Sequence, residues 1–216
     1  MWVLLSKKTT NFSLFITLIL LVFLLNELFR NLLNFDRLIY SSISEKLTQE
    51  QIDNFISYKN KWHWFSYIII AFLYLIKTVT ISAIIYIGSF FCNKDLNYKI
   101  LWNIVIKAEF IFLLVPVFKI IWFYFFQPNY DLNDIQNFYP LSALNIIGYQ
   151  GLESWLIYPF QVLNVFELFY IIYLANQLGK ATKTDTDYGL KIVSISYMPG
   201  LFLWITIVMF FTLNYT

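Results

Sequence analysis

Charge is scarce in this sequence. Only 13% of its 216 residues are Asp, Glu, Lys or Arg, about half the share of a soluble domain. With 59% hydrophobic residues and a mean hydropathy of +0.63, too little polar surface exists to cover a water-soluble globule. The same apolar content excludes disorder. Cysteine is limited to Cys92, which excludes a secreted disulfide scaffold. One cysteine and one histidine, His63, are too few ligands for a zinc, haem or iron–sulfur site. No Walker-type loop, G-x-G-x-x-G or G-x-S-x-G is present. An excess of basic residues is missing too: 15 Lys and Arg against 13 Asp and Glu leave +2, with no basic block for nucleic acid. The expectation is a protein with no metal, no cofactor and no nucleic-acid partner. It is also expected not to be an enzyme, since only intramembrane carboxylate chemistry would remain and nothing singles that out.

What is present is long apolar sequence. A spanning helix needs about 20 mostly apolar residues, and five stretches qualify: 12–33, 64–91, 102–126, 155–178 and 190–213. Continuous rather than alternating hydrophobicity excludes a membrane β-barrel. An unpaired backbone amide in hydrocarbon costs several kcal/mol, so each span is read as a helix. The first has a basic start, yet Asn26-Glu27-Leu28-Phe29-Arg30 follows it where a signal peptide would carry a small-residue cleavage site. The fold class is therefore all-α: a single polytopic domain over 1–216, with five spans plus a short interfacial helix.

Orientation is read from Lys and Arg in short loops. Lys7 and Lys8 precede span one, Lys94 and Lys99 follow span two, and Lys180 and Lys183 follow span four. Residues 127–154 and the C-terminal tail hold neither type. This pattern places the N-terminus in the cytoplasm and the C-terminus outside. The loop 34–63 runs against it, with Arg37, Lys46, Lys59 and Lys61 among Asp36, Glu45, Glu50 and Asp53. The aromatic belt agrees with the orientation: Trp62, Trp64, Trp122, Tyr124, Trp155 and Tyr158 all fall at the outer interface.

Two segments do not span. Within 34–63, Thr48 and Gln51 form a T-x-x-Q capping box, and Ile52, Phe55 and Ile56 repeat at helical spacing. This reads as a helix lying on the headgroups and feeding span two, or as a docking face for a partner. Residues 135–154 are apolar but broken by Pro140, Gly148 and Gly151, which reads as a re-entrant or interfacial segment.

Ionisable residues inside spans cost about 2.5–3.5 kcal/mol each on the insertion scale. Lys77 and Glu167 lie at the middle of spans two and four. Their matched depth predicts a direct pair and makes those spans neighbours. Gln161, Asn164 and Glu167 recur at i, i+3, i+6 and are expected on one helical face. Glu27 and Lys119 share the outer half, so they pair, or Lys119 snorkels outward. These groups are read as glue between helices or toward another subunit; the rival reading is a transport path titrating at Glu167. Pro116, Pro159 and Pro199 sit inside spans three, four and five and permit kinks.

The runs TVTISAIIYIGSFFCNKDLNYKILWNIVIKAEFIFLLVP and LNVFELFYIIYLANQLGKATKTDTDYGLKIVSISYM resemble the Yip-domain family of five-span membrane proteins, named for interaction with Ypt/Rab GTPases. The resemblance covers roughly residues 64–213. The acidic D-L-Y-G-P segment of eukaryotic members is absent, so the resemblance implies the fold and not the GTPase-linked role. Frequent Ile, Asn and Lys point to an AT-rich genome and a bacterial inner membrane. The expected partners are the lipid bilayer and other membrane subunits. The expected function is an accessory or scaffold subunit of a larger complex in transport, secretion or envelope trafficking; the alternative is a small transporter or channel with Lys77 and Glu167 on its path.

Overall fold

A computed structural model describes residues 10–44 and 47–215. Lys7, Lys8, Glu45 and Lys46 lie outside the described residues. The described chain is all-helical, and three of its helical stretches are long and apolar enough to cross a membrane.

The first is α1 (Asn11–Leu32), capped by the Thr10 side chain. A short α2 (Phe35–Ser44) follows. The second is α3 (Gln49–Phe91), 43 residues long and opened by the expected capping box of Thr48 and Gln51. The predicted short helix near residue 50 is thus the first part of α3 and continues unbroken into the second apolar stretch. At about 1.5 Å per residue, α3 is about 65 Å long, roughly twice the hydrocarbon thickness.

The turn 92–97 leads to α4 (Tyr98–Glu109), a 3₁₀ turn (Phe110–Leu113), α5 (Leu114–Ile121) and a π-helical turn (Trp122–Phe126). Pro116 explains the 3₁₀ turn: it has no N–H for the Phe112 carbonyl, and its ring crowds that carbonyl. Two short helices, α6 (Leu132–Asn137) and α7 (Ala143–Ile147), cover the segment read as re-entrant.

The continuous helix expected over 155–178 is two helices, α8 (Ser154–Val162) and α9 (Val165–Ala181). Asn164 makes the break. Its backbone is extended (φ −138°, ψ 162°) and its side chain accepts from the Glu167 N–H at 2.8 Å, an N-cap. The freed backbone is satisfied by the 141–143 segment: Ala143 N–H donates to the Leu163 carbonyl at 2.8 Å and Val165 N–H to the Leu141 carbonyl at 3.1 Å. Leu141 holds φ 55°, a left-handed conformation costly for a branched residue.

The third membrane-length stretch, Thr186–Asn214, comprises α10 (Thr186–Ile195) and α11 (Tyr197–Tyr215), separated at Ser196. Pro199 has no N–H for the Ile195 carbonyl, so the ladder cannot run through.

Two ends of the bundle are fixed by contacts. At one, the Asn11 amide donates to the Lys99 carbonyl at 2.7 Å and Tyr188 donates to the Cys92 carbonyl at 2.6 Å. At the other, Leu33, Phe123 and Ile135 form a small core, and Tyr130 donates to the Leu33 carbonyl. The main core lies nearer the first end, around Ile85, Leu101, Val105, Leu174, Leu178 and Ile192. There α9 and α10 touch backbone to backbone. A Cβ on Gly189 would meet the Ala175 carbonyl oxygen at 1.9 Å, and one on Gly179 the Asp185 oxygen at 2.2 Å. Glycine is required at both positions.

Candidate functional site

Lys77, Glu109 and Glu167 are held in one network. Glu109, on α4, is fully buried. It accepts from Lys77 Nζ of α3 at 2.7 Å and from the Tyr170 hydroxyl of α9 at 3.2 Å. The Lys77 ammonium also lies 4.4 Å from the centre of the Phe112 ring, a cation–π contact. The Tyr170 ring packs 5.1 Å from Phe112 and 5.3 Å from Tyr197. Tyr197 opens α11 and donates to Glu167 at 2.6 Å. Two carboxylates are thus joined through a pair of tyrosines whose rings pack at a tilt, each carboxylate with its own donor. Among the described residues, no fully buried side-chain polar atom lacks a partner. In hydrocarbon that matters, because each unmet group costs several kcal/mol.

This arrangement corrects the expected pairing of Lys77 with Glu167. Lys77 lies fourteen residues before the end of α3 and Glu109 eleven after the start of α4. In a helical hairpin with a short turn, those positions reach almost the same depth. Glu109 therefore meets the ammonium first. α4 packs on both α3 and α9, so spans two and four are not joined by the predicted pair. Gln161, Asn164 and Glu167 do not share one helical face either. Gln161 is in α8, Asn164 caps α9, and Glu167 lies in the first turn of α9. The Asn164 amide donates back to the Gln161 carbonyl at 2.9 Å.

Glu27 and Lys119 also part company. Glu27 faces α3, accepting from Arg30 at 3.3 Å and from the Tyr67 hydroxyl, with His63 Nε2 at 3.9 Å. Arg30 meets the His63 ring and reaches both Asp36 oxygens, at 2.9 and 3.2 Å. Lys59 closes on the same carboxylate at 2.5 Å. This ionic ladder ties α2 to the ends of α1 and α3. Burial pushes the Asp36 carboxyl up, but the hydrogen bonds from Lys59 and Arg30 and their charges outweigh it, and the net shift is downward.

Lys119 instead donates to the Ile135 carbonyl at 3.1 Å. It borders a cavity of about 390 Å³ between α1, α3 and the Phe110–Ile121 stretch, with Asn26, Tyr74, Pro116 and Tyr139 among its lining. Tyr139 lies within electrostatic reach of Glu167, Glu109 and Tyr74.

Sequence reasoning missed Glu109 as the partner, and Tyr170 and Tyr197 as donors. The depth count along the hairpin is the signal for Glu109. No signal marks the tyrosines, because 16 of them are spread through the chain.

No family model matches the chain, and no curated protein or solved structure matches it.

Proposed function

We propose that this chain is a non-enzymatic, five-span protein of a bacterial inner membrane that serves as an accessory or scaffold subunit of a larger membrane complex. Its N-terminus is cytoplasmic and its C-terminus external. Contacts along the bundle support five crossings. Asn11 meets Lys99, while Leu33 packs on Phe123, so 98–126 runs the length of α1. Tyr158 meets Trp204, while Gly179 lies against Asp185, so 158–179 runs antiparallel to α10 and the first half of α11. The five-span pattern also fits the Yip-type resemblance.

One observation carries the scaffold reading: α3 is a single helix with no proline and no glycine before Gly88. Sharp kinks need such residues or a π-bulge. A helix of this kind cannot lie flat on headgroups and then turn across the bilayer, so the polar residues 49–63 project beyond the membrane by about 22 Å. The Arg30–Asp36–Lys59 ladder fixes α2 against the base of this arm. The arm exposes Phe55 and Tyr58, aromatic anchors of the kind that protein interfaces use. Purification from native membranes in mild detergent tests the reading. A stoichiometric second polypeptide supports it, and a lone 25.8 kDa chain contradicts it.

A second reading, a small transporter, is favoured by the meeting of irregular backbone at 138–142 with the helix break at Asn164, beside Glu167. Broken helices at substrate sites are a transporter device. Thermal stabilisation of a monomer by a transported solute, abolished in Glu167→Gln, distinguishes it.

A further inference from the structure

The cavity at Lys119 is at odds with the rest of the bundle interior. The Lys77–Glu109–Tyr170 and Glu167–Tyr197 groups are internally matched, donor to acceptor. Around the cavity the balance fails. Lys119 spends one of its three protons on the Ile135 carbonyl, and among the described residues no carboxylate lies within ion-pair distance of it. Asn26, Tyr74 and Tyr139 also line this space. Their amide and hydroxyl groups form no hydrogen bond among the described residues. The cavity thus presents one uncompensated positive charge and three further polar groups, from three different parts of the chain.

Depth sharpens the point. Lys119 lies nearly two turns from the end of its helical run at Phe126, and Asn26 nearly two turns from Leu33, the C-cap of α1. Both stand at the α2 end of the bundle, just below headgroup level. The remaining wall is apolar, including Val22, Leu25, Ile70 and Leu113. A volume of about 390 Å³ falls at the small end of ligand sites, enough for a head group but not for acyl chains. Leu114 and Phe118, exposed on the same stretch as Lys119, offer apolar surface for chains left outside.

We propose that this cavity is a lipid site, in which an anionic phospholipid places its phosphate against Lys119, with Asn26, Tyr74 and Tyr139 as further donors. The phosphate supplies the acceptors that the protein lacks there, and the charge-assisted hydrogen bond forms in a poorly solvated place, where it is strong. This site is independent of the scaffold reading, since neither the α3 arm nor the α2 ladder contributes to it.

The test is native mass spectrometry of the full chain in detergent, titrated separately with dioleoyl-phosphatidylglycerol, dioleoyl-phosphatidylcholine and sn-glycerol-3-phosphate. Phosphatidylglycerol should bind tightest, and Lys119→Met should weaken it about tenfold. Lys119→Arg should retain binding, and Lys94→Met, at the opposite end of the bundle, should leave it unchanged. Asn26→Leu, which keeps the lysine, should weaken it by a smaller factor, and it stands in should Lys119→Met fail to fold. Equal affinity for the two lipids, equal binding of glycerol phosphate, or a Lys119→Met or Asn26→Leu protein that folds and binds like the parent would each overturn the proposal.

Discussion

Lys77 and Glu109 meet at 2.7 Å across the α3–α4 hairpin, but they are not equally buried. The carboxylate is fully enclosed, whereas the lysine side chain is 44% exposed. The two partners should therefore respond differently to removal. Lys77→Met strands a buried carboxylate and should cost about 3 kcal/mol, the lower end of the range for breaking a buried pair. Glu109→Gln leaves an ammonium that retains the Phe112 face and can reach the protein's edge, so it should cost less. The double variant Lys77→Met, Glu109→Gln should be more stable than Lys77→Met alone. Thermal unfolding of all three in one detergent checks the order; a double variant no more stable than Lys77→Met contradicts it.

Much of the fold was legible in the sequence. The apolar runs located α1, the second half of α3 and α11, because hydrocarbon imposes length and composition together. The Thr48–Gln51 capping box was readable because it is local. The break at Asn164 is less legible, although an asparagine three residues before Glu167 marks it. Inside an apolar run, that spacing fits a polar stripe as well as a cap. The Lys77 partner lies along the shortest hairpin, at Glu109, where depth is constrained more tightly than between spans two and four. The unmatched groups around Lys119 come from α1, α3, α5 and the α6–α7 connection, and only folding brings them together.

The α9–α10 contact yields a second prediction. Gly189→Ala drives a Cβ into the Ala175 carbonyl and toward the Gly179 amide at 2.8 Å. Backbone cannot move aside as a side chain can, so a loss of about 2 kcal/mol is expected, within the overpacking range. Gly200→Ala meets only the Ile84 side chain, at 3.1 Å, and should cost less. Unfolding temperatures of the two variants, compared in one detergent, measure the difference.

A third prediction concerns acid. Asp36 holds its carboxyl below the ordinary 3.8, so its contribution is fully present above that value. It is lost as pH falls through the lower, folded-state value. The Asp36 carboxylate is 56% exposed, so the effect is small and local. Undocking of α2, followed by the distance between spin labels at Tyr40→Cys and Tyr58→Cys, should begin only below about pH 4. In Asp36→Asn it should be present already at neutral pH. A wild-type transition near pH 6 would contradict the ladder as the clamp.

Topology gives a fourth. Cysteines introduced at Asn133 and Tyr58 should react with an impermeant maleimide from one side of the membrane, and one at Lys183 from the other, in a Cys92→Ser background. Labelling of positions 133 and 183 from the same side would remove the five-span arrangement.

The most direct test of the scaffold reading is a photo-crosslinking amino acid placed at Tyr58, on the projecting arm, in native membranes. One discrete adduct with a second polypeptide is expected, absent when the same group replaces the exposed Leu203 of α11. No adduct from Tyr58, together with a lone chain in mild detergent, would contradict it.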